Sequence, residues 1–223
     1  MPSISISTTP TIEWFPPTPT PTSIPTSSPI ATPDLRPGVD EIIFEDDFSY
    51  AEFWSLFQGE NKSAAIENGH LTLALSRPDS FLFSLRQRVI LNNFYTEFTV
   101  TPSLCASGDE YGVMVRVLDT INYFRLGIDC NGHIGVDRML KGIFYPILPK
   151  QIFAFSLGSA PVANRIGIWA LGQELRFFLN DQFLFSITDN VFGAGTIGAY
   201  VRTGKNTPGI SVSFSQLKVW NVK

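Results

Sequence analysis

The chain has 223 residues, of which 44% are hydrophobic and 16% charged, and its formal net charge is -4. It contains no cluster of lysine and arginine, so the electrostatic footprint of a nucleic-acid-binding protein is missing. No run of about 18 apolar residues occurs, and this excludes a helical membrane span within the sequence.

Proline, threonine and serine dominate the first 39 residues. Ten of the sixteen prolines fall between Pro2 and Pro37, among eight threonines and six serines. Each proline fixes φ and removes a hydrogen-bond donor, so extended, solvated polyproline II conformations are favoured. Such composition is typical of a stalk that spaces a domain from a surface, and a flexible linker is the alternative. We predict a disordered linker or stalk over residues 1–39 and an extracellular or cell-surface location, tethered through it.

Alternating residue types predict β-strands from about residue 64 to the end of the sequence. In residues 123–129, Phe124 and Leu126 point to one face, while Tyr123 and Arg125 point to the other. The same period of two recurs in the later runs, and only one short helical turn is predicted, near residues 49–54. We therefore predict an all-β, two-sheet antiparallel sandwich formed as a single domain by residues 40–223.

Turn residues separate these strands at the spacing expected of hairpins. Asn131-Gly132 and Asn180-Asp181 each lie between two alternating runs. Residues of these types tolerate the positive φ angles that two-residue hairpin turns require. Both pairs predict tight β-hairpins.

The sequence has two cysteines, Cys105 and Cys130. If the runs 94–103, 111–118 and 123–129 form a three-strand meander, both cysteines lie at one end of it, and the intervening loop can bring them together. We predict a disulfide between them in an oxidising compartment, with two unrelated buried thiols as the alternative. Their spacing does not match a zinc or redox motif.

Several short motifs mark strands and turns, and they lie at residues 44–48, Trp54, 67–71, 109–116, 122–126, 131–132 and 176–182. Their order resembles that in bacterial jelly-roll domains of the concanavalin A-like lectin and glucanase superfamily. The laminin G-like and 3-keto-disaccharide hydrolase-like groups are the most similar. The resemblance implies two stacked antiparallel sheets, one of them concave, over residues 40–223.

The carboxylates do not follow a glycosidase pattern, so no catalytic residue is predicted. Retaining hydrolysis needs two carboxyl groups about 5–5.5 Å apart, and the laminarinase-like relatives carry them as Glu-x-Asp-x-(x)-Glu on one strand. No such string occurs here. Asp109 and Glu110 are adjacent and are expected at a solvated loop tip. Arg116 and Arg138 are expected to pair with nearby carboxylates such as Asp119 and Asp137.

A non-catalytic binding module, with a glycan as its partner, is the favoured function. Sugars present apolar faces and many hydroxyls, so a site needs exposed aromatic rings flanked by hydrogen-bonding groups. A sensor or adhesion domain that recognises a protein or cell-wall component is the alternative, and a glycoside-processing enzyme is the second alternative. The predicted ligand-binding residues point away from the Phe/Leu/Ile core, and they are Tyr123, Arg125, Trp169, Arg176, Phe178, Tyr200 and Arg202.

No cofactor or metal is predicted. Related lectin-like folds often hold a structural calcium between the first and last strands, where Asp46 or Asp47 could contribute. The last strand offers Gln216 at the place where an acid would help, so calcium is not favoured. The sequence does not indicate the oligomeric state.

Overall fold

The computed structural model describes residues 1–3, 5, 34–153 and 161–223. Its folded unit is Asp34–Lys223, so the unit begins before residue 40, where the sequence predicted the domain boundary. Most of the predicted stalk lies outside the described residues.

Within the described residues, fifteen strands form two antiparallel sheets, with one short 3-10 helix at Ala51–Phe53 close to the predicted helical turn. The larger sheet contains β1 (Val39–Asp46), β2 (Phe57–Gln58), β3 (Lys62–Glu67), β4 (His70–Leu75), β6 (Phe94–Leu104), β11 (Asn164–Leu171), β12 (Glu174–Leu179), β13 (Gln182–Thr188) and β15 (Ile210–Val222). The smaller sheet contains β5 (Phe81–Leu85), β7 (Glu110–Asp119), β8 (Asn122–Asp129), β9 (His133–Leu140), β10 (Ile143–Ile152) and β14 (Thr196–Arg202).

The strand order in both sheets requires long-range pairing. In the described part of the chain, the strand order of the nine-stranded sheet is β13-β12-β11-β6-β15-β4-β3-β2. The remaining strand, β1, pairs with the C-terminal half of β15. The six-stranded sheet runs β10-β9-β8-β7-β14-β5. The all-β, two-sheet antiparallel sandwich predicted from the sequence is confirmed.

Phenylalanine and branched aliphatic side chains fill the space between the sheets, because alternate residues of each strand face inward. The inward set in β8 is Phe124, Leu126 and Ile128, as the alternation predicted. The largest fully buried apolar side chains of this core include Phe48, Phe94, Phe98, Phe124, Phe177 and Phe214.

The two predicted hairpin turns are present. Asn180 and Asp181 have φ angles of 49° and 67° and join β12 to β13. Gly132, with φ 88°, lies in the turn between β8 and β9. Positive φ at these residues matches the right-handed twist of the paired strands, which explains why asparagine, aspartate and glycine occupy them.

The disulfide between Cys105 and Cys130 is confirmed, but the meander used to predict it is wrong. β6 pairs with β11 and β15 in the nine-stranded sheet, whereas β7 and β8 belong to the other sheet. Cys105 follows β6 and Cys130 follows β8, with a Cα–Cα distance of 5.6 Å. The bridge therefore joins the ends of two facing sheets. Strand alternation alone could not show this, since it is the same in either arrangement.

Replacing both cysteines with alanine is expected to lower the free energy of unfolding by about 3 kcal/mol. The bridge closes a loop with a sequence separation of 25, and a loop of this size restricts the unfolded chain by about that amount. Urea denaturation of both proteins measures the difference. Alkylation of the chain from its native source without reductant, followed by mass spectrometry, is the control, and two alkylated thiols would contradict the prediction.

Candidate functional site

The structure divides the seven predicted ligand-binding residues between two surfaces. Tyr123, Arg125, Tyr200 and Arg202 lie on β8 and β14, on the outer face of the six-stranded sheet. The remaining three lie on β11 and β12, on the outer face of the nine-stranded sheet, and they are Trp169, Arg176 and Phe178. The seven residues therefore cannot form one site.

Residues 34–38, which we call the clasp, cover the second group. The Trp169 indole Nε1 donates a hydrogen bond to the Pro37 carbonyl at 2.9 Å, and Arg176 Nη1 donates one to the Leu35 carbonyl at 3.0 Å. The Trp169 and Phe178 side chains are 1% and 2% exposed. Because the chain's own segment occupies these rings, they are not available as platforms for a ligand.

Arg36 fixes the clasp to the aromatic surface of the nine-stranded sheet. Its guanidinium lies 5.5 Å from the centroid of the Tyr95 ring and 5.3 Å from that of Phe178. Arg36 Nη1 also donates a hydrogen bond to the Tyr95 hydroxyl at 3.1 Å and pairs with Asp181 at 3.5 Å. Cation–π contact and ion pairing act together here, so the clasp is part of the folded domain.

A row of three glycines crosses the outer face of the six-stranded sheet. Gly112 on β7 pairs with Gly127 on β8, which pairs with Gly135 on β9, and Tyr200 on β14 continues the row. A Cβ added to Gly127 would lie 2.6 Å from the Tyr200 hydroxyl and 2.8 Å from Glu110 Oε1. The missing side chains leave the space in which long polar side chains meet above the sheet.

Glu110 is the centre of this polar network. Its carboxylate Oε1 accepts a hydrogen bond from the Tyr200 hydroxyl at 2.5 Å, while Oε2 binds Lys150 Nζ at 2.5 Å and Arg202 Nη2 at 3.1 Å. Arg125 Nη2 lies 4.0 Å from Oε1. Burial alone would raise the pKa of Glu110, but the charges of Arg125 and Lys150 outweigh it and lower that pKa to about 2. Glu110 is therefore ionised at neutral pH.

Arg125 links this network to a second carboxylate and to aromatic rings. Its Nε lies 3.2 Å from Asp137 Oδ2, and its guanidinium lies 4.7 Å from the centroid of the Phe144 ring and 5.7 Å from that of Phe81. Burial raises the pKa of Asp137, and the nearby Arg125 charge opposes this rise. Arg125 thus holds a carboxylate and aromatic rings together on one face.

Solvent reaches this face at a few side chains. The Phe144 residue is 46% exposed, and the side chains of Lys150 and Arg202 are 31% and 42% exposed. Tyr123 and Tyr200, which the sequence predicted to be ligand platforms, are 2% and 0% exposed because they pack with Met114 on the same face. The arrangement offers the exposed ring of Phe144 and two accessible cations, with a carboxylate fixed beneath the cations.

Sequence reasoning missed Glu110, Asp137, Phe144 and Lys150 as members of the site. Glu110 was expected at a solvated loop tip together with Asp109, yet both are almost fully buried. The Asp109 carboxylate accepts hydrogen bonds from the Ala106 and Gly204 backbone N–H groups and the Thr207 hydroxyl, so it joins the loop between β6 and β7 to the loop between β14 and β15. The signal that could have found the site is the glycine at an outward position in each of three neighbouring strands.

The predicted partners of two arginines are also wrong. Arg116 is fully buried and donates hydrogen bonds to the carbonyls of Phe192 and Gly172, rather than pairing with Asp119. Arg138 pairs with Asp189, which lies in the loop after β13. Proximity in sequence was a poor guide because these strands bring distant loops together.

Asp46, one of the residues considered for calcium, already has partners. The Asp46 carboxylate pairs with Arg86 Nε at 2.9 Å and accepts hydrogen bonds from the Trp54 indole and the Phe48 N–H, so its oxygens are already engaged. Among the described residues, no group of three or more His, Cys, Asp and Glu side chains could hold a metal ion.

Comparison with known proteins is informative for the fold. No protein-family model and no curated protein matches the sequence. Among solved structures, the chain is similar to the carbohydrate-binding module CBM66 from Bacillus subtilis, with 17% identity, a TM-score of 0.59, and coverage of 76% of this chain and 96% of that one. The fold is a jelly-roll β-sandwich.

Two further structures have the same fold. A protein of unknown function with a galectin-like fold from Bacillus subtilis matches with 9% identity, a TM-score of 0.63, and coverage of 83% of this chain and 98% of that one. The catalytic domain of an endo-1,3-beta-glucanase (laminarinase) from Thermotoga petrophila matches with 8% identity, a TM-score of 0.58, and coverage of 83% and 99%. The similar structures therefore include both a binding module and a hydrolase.

In the described ranges, no helix has the length and apolarity needed to cross a membrane.

Proposed function

We propose that this domain is a non-catalytic, extracellular carbohydrate-binding module. We further propose that it belongs to the concanavalin A-like superfamily, in the laminin G-like or the 3-keto-disaccharide hydrolase-like group. The ligand lies on the outer face of the six-stranded sheet. The observation that carries the proposal is the set of donors fixed around Glu110 beside the exposed ring of Phe144. The structural similarity to a carbohydrate-binding module supports the same assignment.

The geometry supports sugar recognition because it pairs an apolar ring with preorganised donors. The Arg125 guanidinium stacks against Phe144 at 4.7 Å and lies 4.0 Å from Glu110, so the ring and the polar network are held together. A ligand on this face would meet the Phe144 ring together with the Lys150 and Arg202 donors, whose side chains Glu110 already holds in place. Preorganisation of this kind lowers the entropic cost of binding.

A glycoside-processing enzyme is the second candidate, and one observation favours it. Opposite pKa shifts on two nearby carboxyl groups are typical of acid–base pairs, and the pKa is lowered for Glu110 and raised for Asp137. Against this, the Asp137 carboxylate, which would be the acid, is engaged by Arg125 at 3.2 Å, and Glu110, which would be the ionised partner, is only 1% exposed. Release of reducing sugar from the polysaccharides retained by the chain would favour the enzyme.

The location proposal is that the domain acts outside the cell, carried on the Pro/Thr/Ser-rich stalk. The Cys105–Cys130 disulfide supports this, since disulfides persist in oxidising compartments. A sensor or adhesion domain that recognises a protein or a cell-wall component is compatible with the same location. Pull-down from a cell surface, with and without glycan competitor, separates the two.

Replacing Phe144 with alanine is expected to weaken glycan binding up to about tenfold, since one stacked ring contributes about 0.5–1.5 kcal/mol beyond its burial. Migration of the full chain through native gels containing soluble polysaccharides measures the change. The melting temperature should stay nearly the same, because this ring is 46% exposed.

The matched control is Tyr50→Ala, which removes a ring that is 59% exposed and lies outside the six-stranded sheet. It should leave migration unchanged. If the two variants migrate alike in every gel that retards the wild-type chain, the proposed face is wrong. If no polysaccharide retards the wild-type chain, the binding function itself is wrong.

A further inference from the structure

The charged side chains of the candidate site differ in depth as well as in sign. The buried groups are the cation Arg125, with a side-chain exposure of 7%, and three carboxylates, with exposures of 1% for Glu110, 13% for Asp137 and 14% for Asp129. The cations Lys150 and Arg202 are 31% and 42% exposed. The six-stranded sheet therefore presents positive charge to solvent above buried negative charge.

The two exposed cations are held close together. Lys150 Nζ and Arg202 Nη2 both bind the same oxygen, Glu110 Oε2, at 2.5 Å and 3.1 Å. The two nitrogens thus lie no farther apart than these two distances combined. Lys150 reaches this position by crossing Gly135, where a Cβ would lie 2.9 Å from the Lys150 Cγ.

Both cations keep donors that the described residues do not use. A guanidinium has five N–H donors and an ammonium has three. Within the described ranges, Arg202 makes one hydrogen bond, to Glu110, and its buried Nε has no partner. Lys150 binds Glu110, and its next carboxylate oxygen, Asp129 Oδ2, is 3.9 Å away, which is too far for a hydrogen bond.

From this arrangement we infer that the ligand is an acidic glycan, whose sugar carboxylate binds between Lys150 and Arg202 while its ring stacks on Phe144. The inference rests on the proposed carbohydrate-binding function and names the substrate class of that site. A guanidinium and an ammonium side by side match the two oxygens of a carboxylate, and such charge-assisted hydrogen bonds are stronger than neutral ones. The overall net charge of -4 disfavours general attraction to polyanions. Binding of an acidic polysaccharide would therefore indicate a specific site on the surface.

The test compares polyuronates with the same polymers after methyl esterification, which keeps the sugar but removes its charge. Polygalacturonate and alginate are suitable probes in native gels at fixed ionic strength. We expect the full chain to be retarded by the charged forms and at least about tenfold less strongly by the esters, since a hydrogen bond to a charged group is stronger than one to a neutral group. A polysaccharide of neutral sugars that carries sulfate groups is the second probe. If it retards the chain more strongly than either polyuronate, the proposal that the site binds a carboxylate is overturned.

Substitutions distinguish the site from the rest of the surface. Lys150→Gln and Arg202→Gln should each abolish most of the preference for the charged polymer, while Lys150→Arg and Arg202→Lys, which keep the charge, should retain part of it. Lys218→Gln is the control, since Lys218 is 43% exposed and pairs with Glu45 on the other sheet, and it should bind as the wild type does. Melting temperatures identify any variant that fails to fold. If a glutamine variant does not fold, the charge-retaining variant at the same position is compared with the wild type instead.

The outcomes separate the two proposals. Equal or stronger retardation by neutral or esterified polymers overturns the acidic-ligand inference and leaves the carbohydrate-binding function standing. No retardation by any polysaccharide overturns both. If polyuronate retards Lys150→Gln and Arg202→Gln as strongly as it retards the wild type, the inference is also overturned, because the carboxylate of the polymer would then bind at another place on the protein.

Discussion

Glu110→Gln is expected to lower the free energy of unfolding at pH 7 by about 3 kcal/mol. The carboxylate is 1% exposed and surrounded by Arg125, Lys150 and Arg202. Removing one partner of a buried charge network leaves the others uncompensated, which typically costs about 3–5 kcal/mol. The low end is expected because Lys150 and Arg202 can still reach water. Urea denaturation at pH 7 measures the difference.

The same residue predicts how stability depends on pH. The pKa of Glu110 falls from 4.5 to about 2 on folding, so ionised Glu110 stabilises the folded state above the unfolded pKa. That contribution, about 3 kcal/mol at 1.36 kcal/mol per unit of pKa, is lost as the pH falls through the folded value. The wild type should lose its advantage over Glu110→Gln between about pH 4.5 and 2.

Glu45→Gln is the matched control for both measurements. Glu45 pairs with Lys218 at 3.1 Å, but its side chain is 50% exposed, and exposed pairs contribute only about 0–1 kcal/mol. If Glu110→Gln is no more costly than Glu45→Gln, the buried network does not stabilise the fold as argued.

A chain that begins at residue 40 is expected to be about 2–3 kcal/mol less stable than one that begins at residue 34. The shorter chain loses the hydrogen bonds from Trp169 and Arg176 to the clasp, each worth about 1 kcal/mol, and the stacking of Arg36. In a domain of this size, each kcal/mol lowers the Tm by about 2–4 °C. Calorimetry of the two chains measures the shift.

Arg36→Ala in the full chain provides a milder form of the same experiment. It removes the contacts with Tyr95, Phe178 and Asp181 but keeps the backbone acceptors at Leu35 and Pro37. Its Tm should fall between those of the wild type and the chain that begins at residue 40. Identical melting of all three would contradict a structural role for the clasp.

The fold could be predicted because its determinants are local. The outward and inward residues of β8 follow from alternation, and the hairpin at Asn180-Asp181 follows from residues that tolerate positive φ. These patterns act over a few residues, so they are visible without knowing which strand pairs with which.

The site could be predicted only in part, because it depends on sheet membership. Arg125 and Trp169 both occupy outward positions, yet they lie on opposite surfaces of the sandwich. The alternation of residue types shows which face of a sheet a side chain is on, but not whether that face is covered. Tyr123 is covered by neighbouring side chains and Phe178 by the clasp. Lys150, in an edge strand with two prolines, reaches Glu110 on β7 only because β9 and β8 carry glycines beneath it.

The clasp also determines how a mechanical load enters the domain. β1 runs antiparallel to β15 with Val39 opposite Val222, and the Lys223 N–H donates a hydrogen bond to the Gly38 carbonyl. Tension between these two neighbouring ends would peel β1 away one pair at a time, the direction in which paired strands resist least. A pull arriving from before residue 34 meets Leu35, Arg36 and Pro37 first. Their bonds to β11, β12 and the turn after β12 spread that force over strands other than β15, the partner of β1.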